Sequence, residues 1–110
     1  MSERFARQVE ALAVVTELVE VTGCHTFLVD PHLFPAPYPF IVAMPDLIFS
    51  EDELDTFECS DVGFDEERGS YVVWQTGRTI IDVPAEAAAK IIISEYREWE
   101  RKLLAERTSH

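Results

Sequence analysis

The chain has 110 residues, a length that predicts a single domain. Its hydrophobic fraction of 47% excludes disorder as the overall state, and 21 Asp and Glu against nine Lys and Arg give a net charge of −12. This balance argues against direct binding to nucleic acid or to an anionic membrane, because both attract cations.

Residues 3–22 are predicted to form an amphipathic helix, because apolar side chains recur at helical spacing and Gly23 suits a left-handed helix end. Residues 25–30 then predict a strand. Four prolines within residues 31–40 exclude a helix or a central strand there. On this stiff segment Phe34 and Tyr38 are candidate anchors for a partner. The alternative is that these rings fold back over the sheet or a helix end.

A second strand is predicted over residues 40–44, followed by a short helix over residues 51–59. Ser50 and Glu53 have the spacing of a capping box, which marks the start of that helix. Helical placement would align Glu51, Asp55 and Glu58 on one face. Such a row of like charges costs only a few tenths of a kcal/mol per pair.

Residues 61–83 predict a β-meander of three strands, with polar turns that contain glycine. Pro84 then opens a helix of about 24 residues, which would be a rod of roughly 36 Å. The expected fold is therefore α+β in the order α-β-β-α-β-β-β-α, as one domain over residues 1–110. An antiparallel sheet of about four to five strands would pack against the N-terminal helix and the long C-terminal helix in two layers.

The charge is unevenly placed along this framework. No Lys or Arg lies between Arg7 and Arg68, while that stretch holds fourteen carboxylates. A surface lacking cations attracts basic partners, although a merely solvated acidic face is the simpler alternative. The predicted partner-binding residues comprise the two aromatic residues of the proline-rich segment and eight acids: Phe34, Tyr38, Glu51, Asp52, Asp55, Glu58, Asp61, Asp65, Glu66 and Glu67.

Chemistry beyond binding has little support in the sequence. None of the common hydrolase, metalloprotease or nucleotide-binding motifs is present. Cys24, His25, His32 and Cys59 lack the paired spacing of a zinc site, and two cysteines make no disulfide framework. We therefore expect no catalytic residue, metal or cofactor, and no enzymatic activity.

These observations predict a non-enzymatic protein-binding module. It would be a small acidic inhibitor, of the immunity or viral anti-defence type, that occupies a basic surface of a partner protein. An alternative is an adaptor that forms a homodimer through the end of the C-terminal helix, at Trp99 and Leu103. A small-molecule-binding domain is less favoured. Acidic residues interrupt the N-terminal apolar run, which argues against a signal peptide and favours the cytoplasm, of a host cell if the gene is viral.

Overall fold

The computed structural model describes residues 3–29, 39–45 and 49–108, and the predicted order of elements is confirmed. The helices and strands, in chain order, are α1 (Glu3–Glu20), β1 (His25–Val29), β2 (Phe40–Met44), α2 (Glu51–Leu54), β3 (Asp61–Asp65), β4 (Ser70–Gln75), β5 (Arg78–Val83) and α3 (Ala85–Thr108). The fold is α+β, as expected. The stretch of residues 30–38, with Phe34 and Tyr38, lies outside the described residues.

The five strands form one antiparallel sheet in the order β1-β2-β3-β4-β5, so each strand pairs with its neighbour in sequence. β1 and β2 pair without interruption, with Phe27 opposite Val42. The other edge of the sheet is irregular, because the register between β4 and β5 shifts between Tyr71 and Val73. The strand order makes β1 and β5 the two edge strands.

The helices α1 and α3 contact each other and the sheet, and the core fills the space between these two layers. From α1 the core receives Leu12, Val15 and Val19, which lie on one helical face at the predicted spacing. The Tyr71 hydroxyl donates to the Ala11 carbonyl at 2.6 Å, which ties β4 to α1.

α3 has the predicted 24 residues, but its C-terminal half is not left free. Trp99 and Leu103 are only 9% and 8% exposed and belong to the core cluster. These two side chains, the candidate dimer contacts, are therefore part of the core, and aromatic residues from the α2 region pack on Trp99. No helix in the described ranges is long and apolar enough to cross a membrane.

Candidate functional site

The predicted acidic residues fall into two groups, which β3 separates along the chain. Glu51 to Glu58 come before this strand, Asp61 and Asp65 are its first and last residues, and Glu66 and Glu67 follow it. Five extended residues place Asp61 and Asp65 about 13 Å apart. The structure therefore has two acidic groups, at opposite ends of β3, and they differ in how their charge is balanced.

In the group after β3, Asp65 and Glu66 are paired with arginines, while Glu67 is exposed without an ion pair among the described residues. Glu66 forms ion pairs with Arg4, at 3.2 Å, and with Arg7. Asp65 pairs with Arg68 at 3.5 Å and accepts the backbone N–H groups of Glu67 and Arg68. This group therefore contributes little to a free negative surface.

The group before β3 is not balanced by neighbouring cations. Glu51, Asp52, Asp55 and Glu58 are all exposed, and no ion pair found among the described residues reaches them. We call these four residues the acidic patch. Its concentration of charge was predicted, but its backbone differs from the prediction.

The backbone of the acidic patch begins with the predicted capping box. The Glu53 N–H donates to Ser50 Oγ at 3.2 Å, and the Ser50 N–H donates to Glu53 Oε1 at 3.0 Å. Glu53 is thus occupied by the cap rather than presented to a partner. Glu51 and Asp52 lie in the first turn, where the helix dipole favours negative charge.

The predicted extent of α2, to residue 59, is wrong, because the helix ends at Leu54. Thr56 ends the turn by donating its hydroxyl to the Glu53 carbonyl at 2.7 Å. Phe57 then packs against Tyr96 and Trp99 of α3, with ring centroids at 6.3 and 5.1 Å. Tertiary packing therefore outweighs the local helical preference. A single helical row of Glu51, Asp55 and Glu58 does not form.

An aromatic cluster fixes the acidic patch to α3. The ring of Trp99 lies 4.8 Å from that of Phe49 in an edge-on arrangement. Its indole N–H donates to Thr56 Oγ1 at 2.8 Å. Phe49 and Phe57 thus clamp both ends of the α2 segment onto one helix. The patch is held by a buried anchor, which sequence patterning did not reveal.

Glu95 of α3 is a neighbouring carboxylate that the sequence analysis missed. It accepts the Ser60 hydroxyl at 2.6 Å and the Ser60 N–H at 3.1 Å. Burial raises the pKa of Asp61, and the nearby charge of Glu95 raises it further. No local pattern distinguishes Glu95 from the other acids of α3, since only the fold brings it to the start of β3.

Two concave regions lie beside the acidic patch, and Glu58 and Glu95 line both. The larger is a groove of about 450 Å³. Its lining residues come from α3 and the segment after α2: Thr56, Glu58, Ser94, Glu95, Glu98, Trp99 and Lys102. The smaller, of about 150 Å³, reaches Cys59, Ser60 and the turn at Gln75. A positively charged side chain matches such a pair of carboxylates.

The cysteines have the character of structural thiols. Cys24 is buried, and desolvation raises its pKa to about 11, against a smaller lowering from a backbone hydrogen bond at Met44. The pKa of Cys59 is raised mainly by desolvation and secondly by the charge of Glu95. Neither thiol is therefore primed as a nucleophile at neutral pH.

No group of three or more metal-ligating side chains lies together within the described ranges, and His32 is outside them. No protein-family model matches the chain, and comparison with curated proteins and with solved structures gives no match.

Proposed function

We propose that this protein is a non-enzymatic binding module, a small acidic inhibitor that occupies a basic surface of a partner protein. Immunity proteins and viral anti-defence proteins belong to this class, and the basic surface would be one that binds nucleic acid. The proposal places the protein in the cytoplasm, of a host cell if the gene is viral.

The observation that carries the proposal is the unbalanced charge of the acidic patch. Four exposed carboxylates lie within eight residues of chain, without an ion pair among the described residues. The same fold does neutralise Glu66, with two arginines. Like charges held close together repel each other, and a cationic partner would relieve that repulsion.

The rigidity of the patch supports a binding role. The capping box and the Trp99 hydrogen bond fix the α2 segment before any partner arrives. A preformed surface loses less conformational entropy on binding than a flexible one. The patch would therefore present its carboxylates in one arrangement.

The groove between α3 and the segment after α2 suggests how a basic residue would be held. A Lys or Arg side chain of the partner would place its charged tip between Glu58 and Glu95, which both line the groove. Its aliphatic stem would lie along the wall to which Trp99 contributes. Electrostatic attraction would raise the association rate by roughly 10- to 1000-fold at low salt.

The test compares two charge-neutralised variants of equal net charge. The first carries E51Q, D52N, D55N and E58Q in the acidic patch. The control carries E3Q, E10Q, E17Q and E20Q on α1, where all four side chains are exposed. Immobilised wild type and variants would be incubated with lysate at low salt, eluted with rising NaCl, and the eluted proteins quantified by mass spectrometry.

We expect wild type and the control to retain a basic protein that the patch variant does not retain. Rising NaCl should elute this protein. Affinity of the purified partner should then fall steeply with ionic strength. Equal capture by both variants would show that total charge, rather than the patch, is responsible. An affinity that does not change with salt would remove the electrostatic basis of the proposal.

A further inference from the structure

The two edge strands of the sheet differ in how they are protected against pairing with another strand. β5 has the irregular register with β4, and Asp82 within it adopts a positive φ of 56°. Its first residue is Arg78, and Asp82 forms an ion pair with Arg68. Bulges and charged side chains are the usual means by which an edge strand avoids unwanted partners.

β1 has none of these protections. All five of its residues pair with β2 in unbroken register, and the strand HTFLV contains no Asp, Glu, Lys, Arg, Pro or Gly. No strand in the described part of the chain pairs with its outer edge. A regular, uncharged edge is a template for strand addition.

Large apolar side chains are exposed on both faces of this edge. Thr26 Oγ1 donates to Thr16 Oγ1 of α1 at 2.8 Å, so Thr26 and Leu28 face the helical layer. Phe27 therefore points to the opposite face. Phe27 is 53% exposed and Leu28 is 46% exposed, so an added strand would cover apolar surface on both sides.

We propose that the outer edge of β1 pairs with β1 of a second copy of this chain. The two strands would run antiparallel about a twofold axis at Phe27, which joins the two sheets into one continuous sheet. Thr26 would then lie opposite Leu28 of the second copy. This dimer is a further property, separate from the binding of a basic protein at the acidic patch.

Charge decides in favour of a second copy over a basic partner. A cationic protein is attracted to the acidic patch, whereas β1 offers it no carboxylate. Self-pairing places no like charges opposite each other along the strand, although the chain carries a net charge of −12.

The rim of α1 above β1 is compatible with this pairing. Thr16 lies over β1, and Ala13, three residues earlier on the same side of the helix, is exposed. A small, uncharged side chain at that position leaves room for the α1 helix of the second copy. The exposed carboxylates on this side of α1 lie about one turn or more from Ala13, at Glu10, Glu17 and Glu20.

The salt dependence of the dimer should be opposite to that of the proposed inhibitor complex. Two chains of net charge −12 repel each other, and salt screens this repulsion, so dimerisation should strengthen as ionic strength rises. Binding of a basic partner at the acidic patch should instead weaken as ionic strength rises. The two proposals can therefore fail independently.

The experiment is sedimentation equilibrium of the wild-type chain, of Phe27→Lys and of Ile81→Lys, at low and high salt. Ile81 is the matched control because it is 49% exposed on β5, the opposite edge strand. We expect wild type and I81K to dimerise alike, and more tightly in high salt. F27K places two ammonium groups together at the twofold axis and should raise the dissociation constant at least about tenfold.

Hydrogen exchange on the wild-type chain gives a second measurement that does not depend on how F27K folds. The amides of β1 should exchange more slowly at concentrations above the dissociation constant, while those of α2 should not change. A wild-type chain that stays monomeric up to about millimolar concentration would overturn the proposal. So would a dimer that F27K leaves intact, or protection of β1 that is independent of concentration.

Discussion

Trp99 donates its indole N–H to the hydroxyl of Thr56 at 2.8 Å, and this hydrogen bond joins α3 to the turn that ends α2. The same hydroxyl donates to the Glu53 carbonyl. One threonine thus ends the helix and also satisfies a largely buried ring nitrogen. The position of the acidic patch depends on this connection and on the aromatic contacts around it.

The hydrogen bond of Trp99 predicts a graded loss of stability. Trp99→Phe keeps an aromatic ring against Phe49 and Phe57 but removes the N–H, and should lower the free energy of unfolding by about 1 kcal/mol. Trp99→Ala also removes the packing and should cost about 3–5 kcal/mol. Urea denaturation measures both values.

Thr56 provides the control for this series. Thr56→Ser keeps the hydroxyl and should change stability little, while Thr56→Val should cost less in the W99F background than in wild type. Additive effects of T56V and W99F would contradict the proposed contribution of the hydrogen bond.

The capping box of α2 predicts a local effect. Ser50→Ala removes the acceptor for the Glu53 N–H, which should cost about 1 kcal/mol. Hydrogen exchange of the Glu53 amide should accelerate more than that of amides in β3. Ser94→Ala, at an exposed position in α3, is the control and should leave both quantities close to wild type.

Much of the fold could be predicted because its signals are local. The apolar stripes of α1 and α3 recur at helical spacing, and the capping box at Ser50 marks the start of α2. Polar turns with Gly69 and Gly77, both at positive φ, separate the last three strands. Each signal involves residues within a few positions of one another.

The errors concern relationships over long sequence distances. α2 stops early because Phe57 packs against α3, about forty residues later. The charge of Glu66 is cancelled by Arg4 and Arg7, whose approach no local pattern indicates. Glu95 joins the site for the same reason. The sequence thus indicated that negative charge was concentrated, but the fold decided which part of it stays unbalanced.

The raised pKa values of the two cysteines predict slow chemical modification. A thiol with a pKa of about 11, as at Cys24, is about 0.1% thiolate at pH 8, and the thiolate is the reactive form. Labelling by a disulfide reagent should therefore be at least about tenfold slower in the native chain than in the urea-unfolded chain. Cys59→Ser isolates the reaction of Cys24, which is buried. Equal rates for folded and unfolded chains would contradict this assignment.

The raised pKa of Asp61 predicts that its charge destabilises the fold at neutral pH. Burial of the side chain is the main cause of the raised pKa, and the charge of Glu95 is the second. Asp61 therefore ionises more easily in the unfolded chain. Below the ordinary pKa of 3.8, Asp61 is protonated in both states and ionisation costs nothing. As the pH rises through the folded pKa, the unfolded chain releases its proton more readily and the free energy of unfolding falls.

Asp61→Asn removes this ionisation and keeps a side chain of similar shape. The variant should have a higher urea midpoint than wild type at about pH 7, and the difference should shrink as the pH approaches about 3.5. Glu10→Gln, at an exposed position on α1, removes one negative charge without relieving burial and should not reproduce the trend. An advantage for D61N that is the same at every pH would point to the loss of net charge rather than to the environment of Asp61. A D61N variant that is less stable than wild type at pH 7 would show instead that the ionised carboxylate is stabilised where it lies, beside Glu95.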